Sequence, residues 1–309
     1  MLKKKILAML TSLTLTASSF GLAGAAVPNT VNEKLALIES DTYGSEQTGA
    51  LLERLNKLEA DYDGTHRRGS MMARVDAIYS EIYSNDVAPS LLAQLNAIEW
   101  NLDHEVSMKA VEDRLTDMEM AIQGKTGEGT YRERIAFLAE NSFGETELPL
   151  QQTEVPANTL IKIALVTPIN AKNLKVGDVI KYKVTRDVMI DGVLVFAKGE
   201  PGEGKVTKVS QARNFGRNAE VNVEFERTKS IDGTEVSTFV GEEAKTEMKN
   251  MAYAAGASLA GMALLGPIGI IGGAFVNGKN VDLPEGTEVY IQTKNQEVLY
   301  GVPTSLTAE

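Results

Sequence analysis

The sequence predicts an α+β chain of two parts. These are an N-terminal array of helical repeats and a C-terminal small β-barrel or sandwich carrying an inserted Gly-rich apolar helical hairpin. Three observations predict it. Apolar residues recur every 20 positions through residues 27–145. After a short polar stretch the periodicity changes from helical to alternating. Between Lys249 and Lys279 the chain carries no charged side chain.

Residues 1–25 read as a secretory signal. Lys3, Lys4 and Lys5 form the basic start, Ile6 to Leu22 the apolar run, and Ala23-Gly24-Ala25 the small-residue cleavage site. The apolar run is short and interrupted by Thr and Ser, which favours a cleaved signal over a retained anchor. The expected location is therefore exported: periplasm, outer membrane or cell surface. No cysteine is present, so disulfides and a lipid-modified signal are excluded. At 43% hydrophobic and 24% charged residues the chain is built to bury a core. Its net charge of −11 is concentrated in the repeat half. That acidity makes nucleic acid a poor ligand, and no nucleic-acid partner is expected.

Six repeats occupy residues 27–145. One apolar series is Leu35, Leu55, Val75, Leu95, Leu115 and Ile135; a second is Ile38, Leu58, Ile78, Ile98, Met118 and Leu138. Within a copy, Leu51, Leu55, Leu58 and Tyr62 share one helical face. Each copy thus predicts a helix of about 12–14 residues, closed by Gly44, Gly64, Gly124 or Gly144, with Ser84 and His104 in the middle copies. No copy buries its stripe alone, so neighbours must stack. A loop of six or seven extended residues spans about 20 Å, the length of such a helix. Parallel and antiparallel stacking both remain open. A basic or amide residue precedes the first series (Lys34, Arg54, Arg74, Gln94, Arg114, Arg134) and an acid usually follows the second (Glu39, Glu59, Glu99, Glu119). Arg54 and Glu59 are five apart, a poor spacing for a pair within one helix. Either adjacent copies pair or the charges are solvated.

Residues 146–157, with Pro149 and Pro156, read as a linker to a β-domain over 158–309. Leu160 to Leu165, Val179 to Val184 and Ala219 to Arg227 alternate apolar with polar as half-buried strands do. Turns are signalled at Gly177-Asp178, Asp191-Gly192, Lys198-Gly199-Glu200-Pro201-Gly202 and Asp232-Gly233. Seven to nine short strands are expected.

The units Arg54-Leu55-x-x-Leu58-Glu59 and Arg114-Leu115-x-x-Met118-Glu119 resemble tandem repeats of secreted bacterial proteins. That resemblance implies an extracytoplasmic spacer or interaction array. Ala197-Lys198-Gly199-Glu200, Leu283-Pro284-Glu285-Gly286-Thr287 and the uncharged stretch 251–276 together resemble the β-domain of the outer-membrane scaffold subunit of type IV secretion systems. In that family a β-barrel carries a late insertion of two apolar helices, and copies of the insertion line a channel. The repeats that follow the signal here depart from that family.

The insertion 250–278 reads either as one helix of about 39 Å, kinked at Pro267, or as a hairpin turning at Gly266-Pro267 with arms of about 17–22 Å. Its glycines suit close helix contacts in lipid or between subunits; the alternative is a hairpin buried in the β-domain. The residues expected at a membrane or subunit contact are Gly256, Gly261, Leu264, Leu265, Gly266, Pro267, Ile270, Gly273 and Phe275.

Catalytic, cofactor and metal residues are expected to be none. His66 and His104 lie far apart in repeat loops. Asp61-x-Asp63-Gly64 lacks a calcium loop's final acid, its place being taken by Met72. Trp100 is expected to be a core residue of its repeat. The expected partners are a membrane or a second copy, through 251–276, and a protein or cell-wall partner for the repeats. The readings this leaves are an envelope structural protein, a soluble module binding peptidoglycan or a protein, and an oligomeric channel or secretion subunit.

Overall fold

The computed structural model describes residues 28–146, 148–211, 219–254, 274–278 and 282–304. The expected signal, and Gly256, Gly261, Leu264, Leu265, Gly266, Pro267, Ile270 and Gly273, lie outside the described residues.

The repeats form six helices of 13 residues: α1 (Val31–Tyr43), α2 (Leu51–Asp63), α3 (Met71–Tyr83), α4 (Leu91–Asp103), α5 (Val111–Gln123) and α6 (Tyr131–Phe143). Their starts are fixed by side chains that accept from free first-turn amides. Thr30, Ser70, Ser90 and Thr130 do this, and Glu33 and Glu133 complete capping boxes. Four helices stop at a glycine in the left-handed region, with φ between 71 and 80°. His104 adopts it too, at φ 52°, whereas Ser84 continues in an extended conformation.

All twelve residues of the two apolar series are at most 2% exposed. Lys34 meets Asp76 near the starts of α1 and α3, and the Tyr83 hydroxyl donates to Asp41 near their ends. The two helices are therefore parallel. The ends of α1 and α2 also meet, at the buried Thr42–Tyr62 hydroxyl pair. Each loop thus carries the chain back along the helix it has left.

Strands follow at β1 (Gln151–Val155), β2 (Leu160–Leu165), β3 (Ile169–Asn170), β4 (Val179–Val184), β5 (Val188–Ile190), β6 (Val193–Phe196), β7 (Pro201–Ser210), β8 (Ala219–Lys229) and β9 (Glu235–Phe239). Helix α7 (Glu242–Ala254) comes next, then β10 (Ala274–Gly278), β11 (Asp282–Leu283), β12 (Glu288–Thr293) and β13 (Glu297–Pro303). Six strands close into an antiparallel barrel in the order β8-β7-β4-β2-β12-β9, with β9 returning to β8 at Thr228↔Val236. The alternatives of barrel and sandwich resolve to a barrel flanked by a second sheet, β1-β13-β6-β5. Tyr182, Ile161, Ile163, Val206, Val221 and Phe225 fill its interior.

Three expectations are corrected. The linker 146–157 contains strand β1, paired along its length with β13 from Gln151↔Gly301 to Val155↔Glu297. Backbone amides of a connecting segment must find partners, and pairing with a strand distant in sequence supplies them without any sign in the local composition. The insertion is not helical throughout 250–278. Its first residues complete α7, and its last form β10, where Phe275 pairs with Asn222 of β8. The described residues hold thirteen strands rather than seven to nine: β3, β5 and β11, of two or three residues, carry too little alternation to be seen, and β1 and β10 lie in the stretches read as linker and insertion.

Candidate functional site

An ion-pair ladder joins the repeats. The Arg54 guanidinium donates to Glu39 (Nε to Oε1, 2.9 Å), Arg74 to Glu59 (2.9 Å), Arg114 to Glu99 (Nε to Oε2, 2.9 Å) and Arg134 to Glu119 (2.7 Å). Each carboxylate also accepts one loop amide, from Gln47, Arg67, Ser107 or Gly127. The acids are at most 5% exposed and the arginines at most 9%. The choice between solvated charges and pairing of adjacent copies is thereby decided for pairing. Buried charge is tolerated only where both partners are present and hydrogen-bonded.

The ladder has one interior gap, and both of its members are absent there: Tyr79 stands where an acid is due and Gln94 where an arginine is due. The freed loop turns to the barrel instead. Asn85 donates from Nδ2 to the Asp232 carbonyl (2.9 Å) and accepts from the Ser90 amide (2.9 Å).

Around this gap the array docks onto the barrel. Asn96 of α4 donates to the Ile231 carbonyl (3.0 Å) while its Oδ1 accepts from Arg114 (2.7 Å). The Trp100 indole, 8% exposed, donates to Asp187 (3.0 Å). The Val106 amide donates to the Lys198 carbonyl (2.8 Å), and Glu105 bridges Lys183 and Lys198; their ammonium groups hold its carboxyl below the usual range. Gly199, at φ +94°, lies so close to the Val106 carbonyl that a β-carbon has no room. Leu194, Ala197, Ile231 and Val302 of the β region share one hydrophobic core with the helices.

At this junction lies a cleft of about 310 Å³. Its apolar lining is Leu92, Val106, Met108, Val111 and Val166, and its polar lining includes Asp41, Glu200, Lys181 and Lys229. Glu200 is 1% exposed. Burial pushes its carboxyl up to about 8, against the partial attraction of Arg114 and Lys229. Desolvation likewise raises Asp41, which accepts from the Tyr83 hydroxyl at 2.8 Å. None of this was visible in the sequence: Glu200 reads there as one polar residue in a glycine-rich turn.

The remaining site expectations are placed as follows. Phe275 lies in β10, the outermost strand of the larger sheet, bonded to the first half of β8. Helix α7 leads into the uncharged run and is seated on β12, where the Ala244 amide donates to Gln292 (3.1 Å). No described helix is long and apolar enough to cross a membrane. The His66 ring is 60% exposed, and His104 caps α4. Among the described residues, no group of three or more His, Asp or Glu side chains is placed to hold a metal ion.

No protein-family model matches this chain. No curated protein matches it either. Among solved structures it is similar to ComB10 of the Com type IV secretion system of Helicobacter pylori, at 14% identity and a TM-score of 0.25, over 46% of this chain and 88% of that one.

Proposed function

We propose that this chain is a non-enzymatic structural and interaction protein of the cell envelope. In this reading a rigid helical array is fixed to a barrel, and the barrel carries a Gly-rich apolar arm that anchors it to a membrane or to further copies. One observation carries the reading. Among the described residues the barrel closes on itself through β8 and β9 with its core filled by strands, and β10, which follows the uncharged run, is an outer edge strand beyond that closure. In this reading the long run without a charged side chain, tethered at both ends to an already closed barrel, takes its cover from lipid or from another subunit. Gly256 with Ala260, and Gly269 with Gly273, give the small-residue spacing that favours close helix contacts in a membrane.

Fractionation of cells making the full chain, beside a chain lacking 255–273, tests this. The full chain is expected with membranes, released by detergent as more than one copy, and the shortened chain in the soluble fraction with its thermal unfolding retained. A full chain that stays wholly soluble without detergent overturns the proposal.

A further inference from the structure

The polar groups that line the cleft between array and barrel differ in how they are satisfied. Asn96, Arg114 and Tyr182 are fully engaged: Arg114 with Glu99 and Asn96, and the Tyr182 hydroxyl with the Glu203 and Arg227 carbonyls. Three groups keep spare capacity. Glu200 accepts on Oε1 from Asn96 across a long 3.4 Å, and its Oε2 has no hydrogen-bond partner among the described residues. Asp41 uses only Oδ2, toward Tyr83. Lys229 makes no side-chain hydrogen bond or ion pair within 4 Å among the described residues; its attraction to Asp41 and Glu200 acts at longer range. A nearly fully buried carboxyl with a free oxygen facing an open volume is costly unless something occupies that volume.

We propose that this cleft binds a small zwitterion, an ammonium and a carboxylate carried on one apolar body, of the size of a free α-amino acid or a dipeptide. The ammonium meets Glu200 Oε2 and Asp41, the carboxylate meets Lys229, and the apolar body lies against Leu92, Val106, Met108 and Val111. A cleft of about 310 Å³ sits at the small end of the range typical of ligand sites. The wall comes from both parts of the chain, so the site exists only while the array is docked. This inference is independent of membrane attachment.

Proton linkage gives it a distinctive mark. Besides Asn96, the groups acting on Glu200 are Arg114 and Lys229, which favour its charged form, and Glu99 and Asp232, which oppose it. Below about pH 8 the empty site holds Glu200 protonated. An arriving ammonium favours the charged form, so binding at pH 7 releases a proton.

Calorimetry on the full chain at pH 7, in two buffers of different ionisation enthalpy, tests the proposal with L-leucine, L-methionine and leucyl-leucine as probes. The single-charge analogues isoamylamine and 4-methylpentanoate are run beside them. At least one zwitterion is expected to bind with proton release, and both analogues about tenfold or more weakly. Glu200→Gln is expected to reduce the proton release, Asp41 being raised by desolvation as well, and to lose about tenfold in affinity, and Lys229→Met a similar factor with the proton release retained, both with Trp100 fluorescence unchanged. The absence of binding to every zwitterion up to about 10 mM overturns the proposal. So do analogues that bind equally well, or full affinity in both variants.

Discussion

Glu119 and Arg134 show what one residue contributes when its charge is buried. Glu119 is 0% exposed and is held by the Arg134 guanidinium and the Gly127 amide. Removing the acid strands a guanidinium that is 8% exposed. Glu119→Ala is therefore expected to lower unfolding free energy by about 3–5 kcal/mol, and the double replacement Glu119→Leu with Arg134→Leu by clearly less; urea denaturation measures both. Glu200 makes the opposite case, a buried acid without a full partner. Its folded value of about 8 lies above its ordinary 4.5, so the folded state holds a proton that the unfolded chain releases. Stability from this residue is complete below about pH 4.5 and declines as pH rises toward 8. Glu200→Gln is expected to flatten that decline, so its advantage over the unsubstituted chain grows with pH across the window. Thermal melts at pH 5, 7 and 8.5 read this directly.

Elements are set by local chemistry at their ends and by tertiary contacts along their faces. Gly124 ends α5 at φ +71° with open space around it, while Gly199 meets the Val106 carbonyl. Gly124→Ala is expected to cost about 1 kcal/mol, the strain of a side chain in the left-handed region. Gly199→Ala must in addition push α4 and its following loop off the barrel. Its loss is expected to be several-fold larger and to expose the 105–108 segment to limited proteolysis, which Gly124→Ala leaves protected. The six helices were legible because each fits in a 13-residue window of periodicity and capping. The ladder was half legible: the acids and bases recur visibly, but partners 15 residues apart sit in different helices. The joint loss of the charge at Tyr79 and Gln94 is its clearest trace in the sequence. Strand β1 left no such trace, since Gln151–Val155 becomes a strand only by meeting β13.

At the scale of the whole molecule, the barrel keeps a core of its own and the two parts meet in a second apolar cluster. Leu194, Ala197, Ile231 and Val302 lie in the same apolar cluster as the repeat stripes. The single tryptophan, Trp100, reports their contact because its indole donates to Asp187 across the junction. Unfolding in urea followed by Trp100 fluorescence and by far-ultraviolet circular dichroism is expected to give coincident transitions. A fluorescence change that precedes the loss of helix would mean that the array and the barrel separate first. By itself the sequence determined the six helices, their ends and their buried faces, because periodicity, capping and glycine conformation act within one or two turns of chain. Only the tertiary structure decided the barrel's closure, the docking of α4 and the cleft around Glu200. Asn96 and Glu200 are 104 residues apart, and burial at that separation depends on what the folded chain brings together.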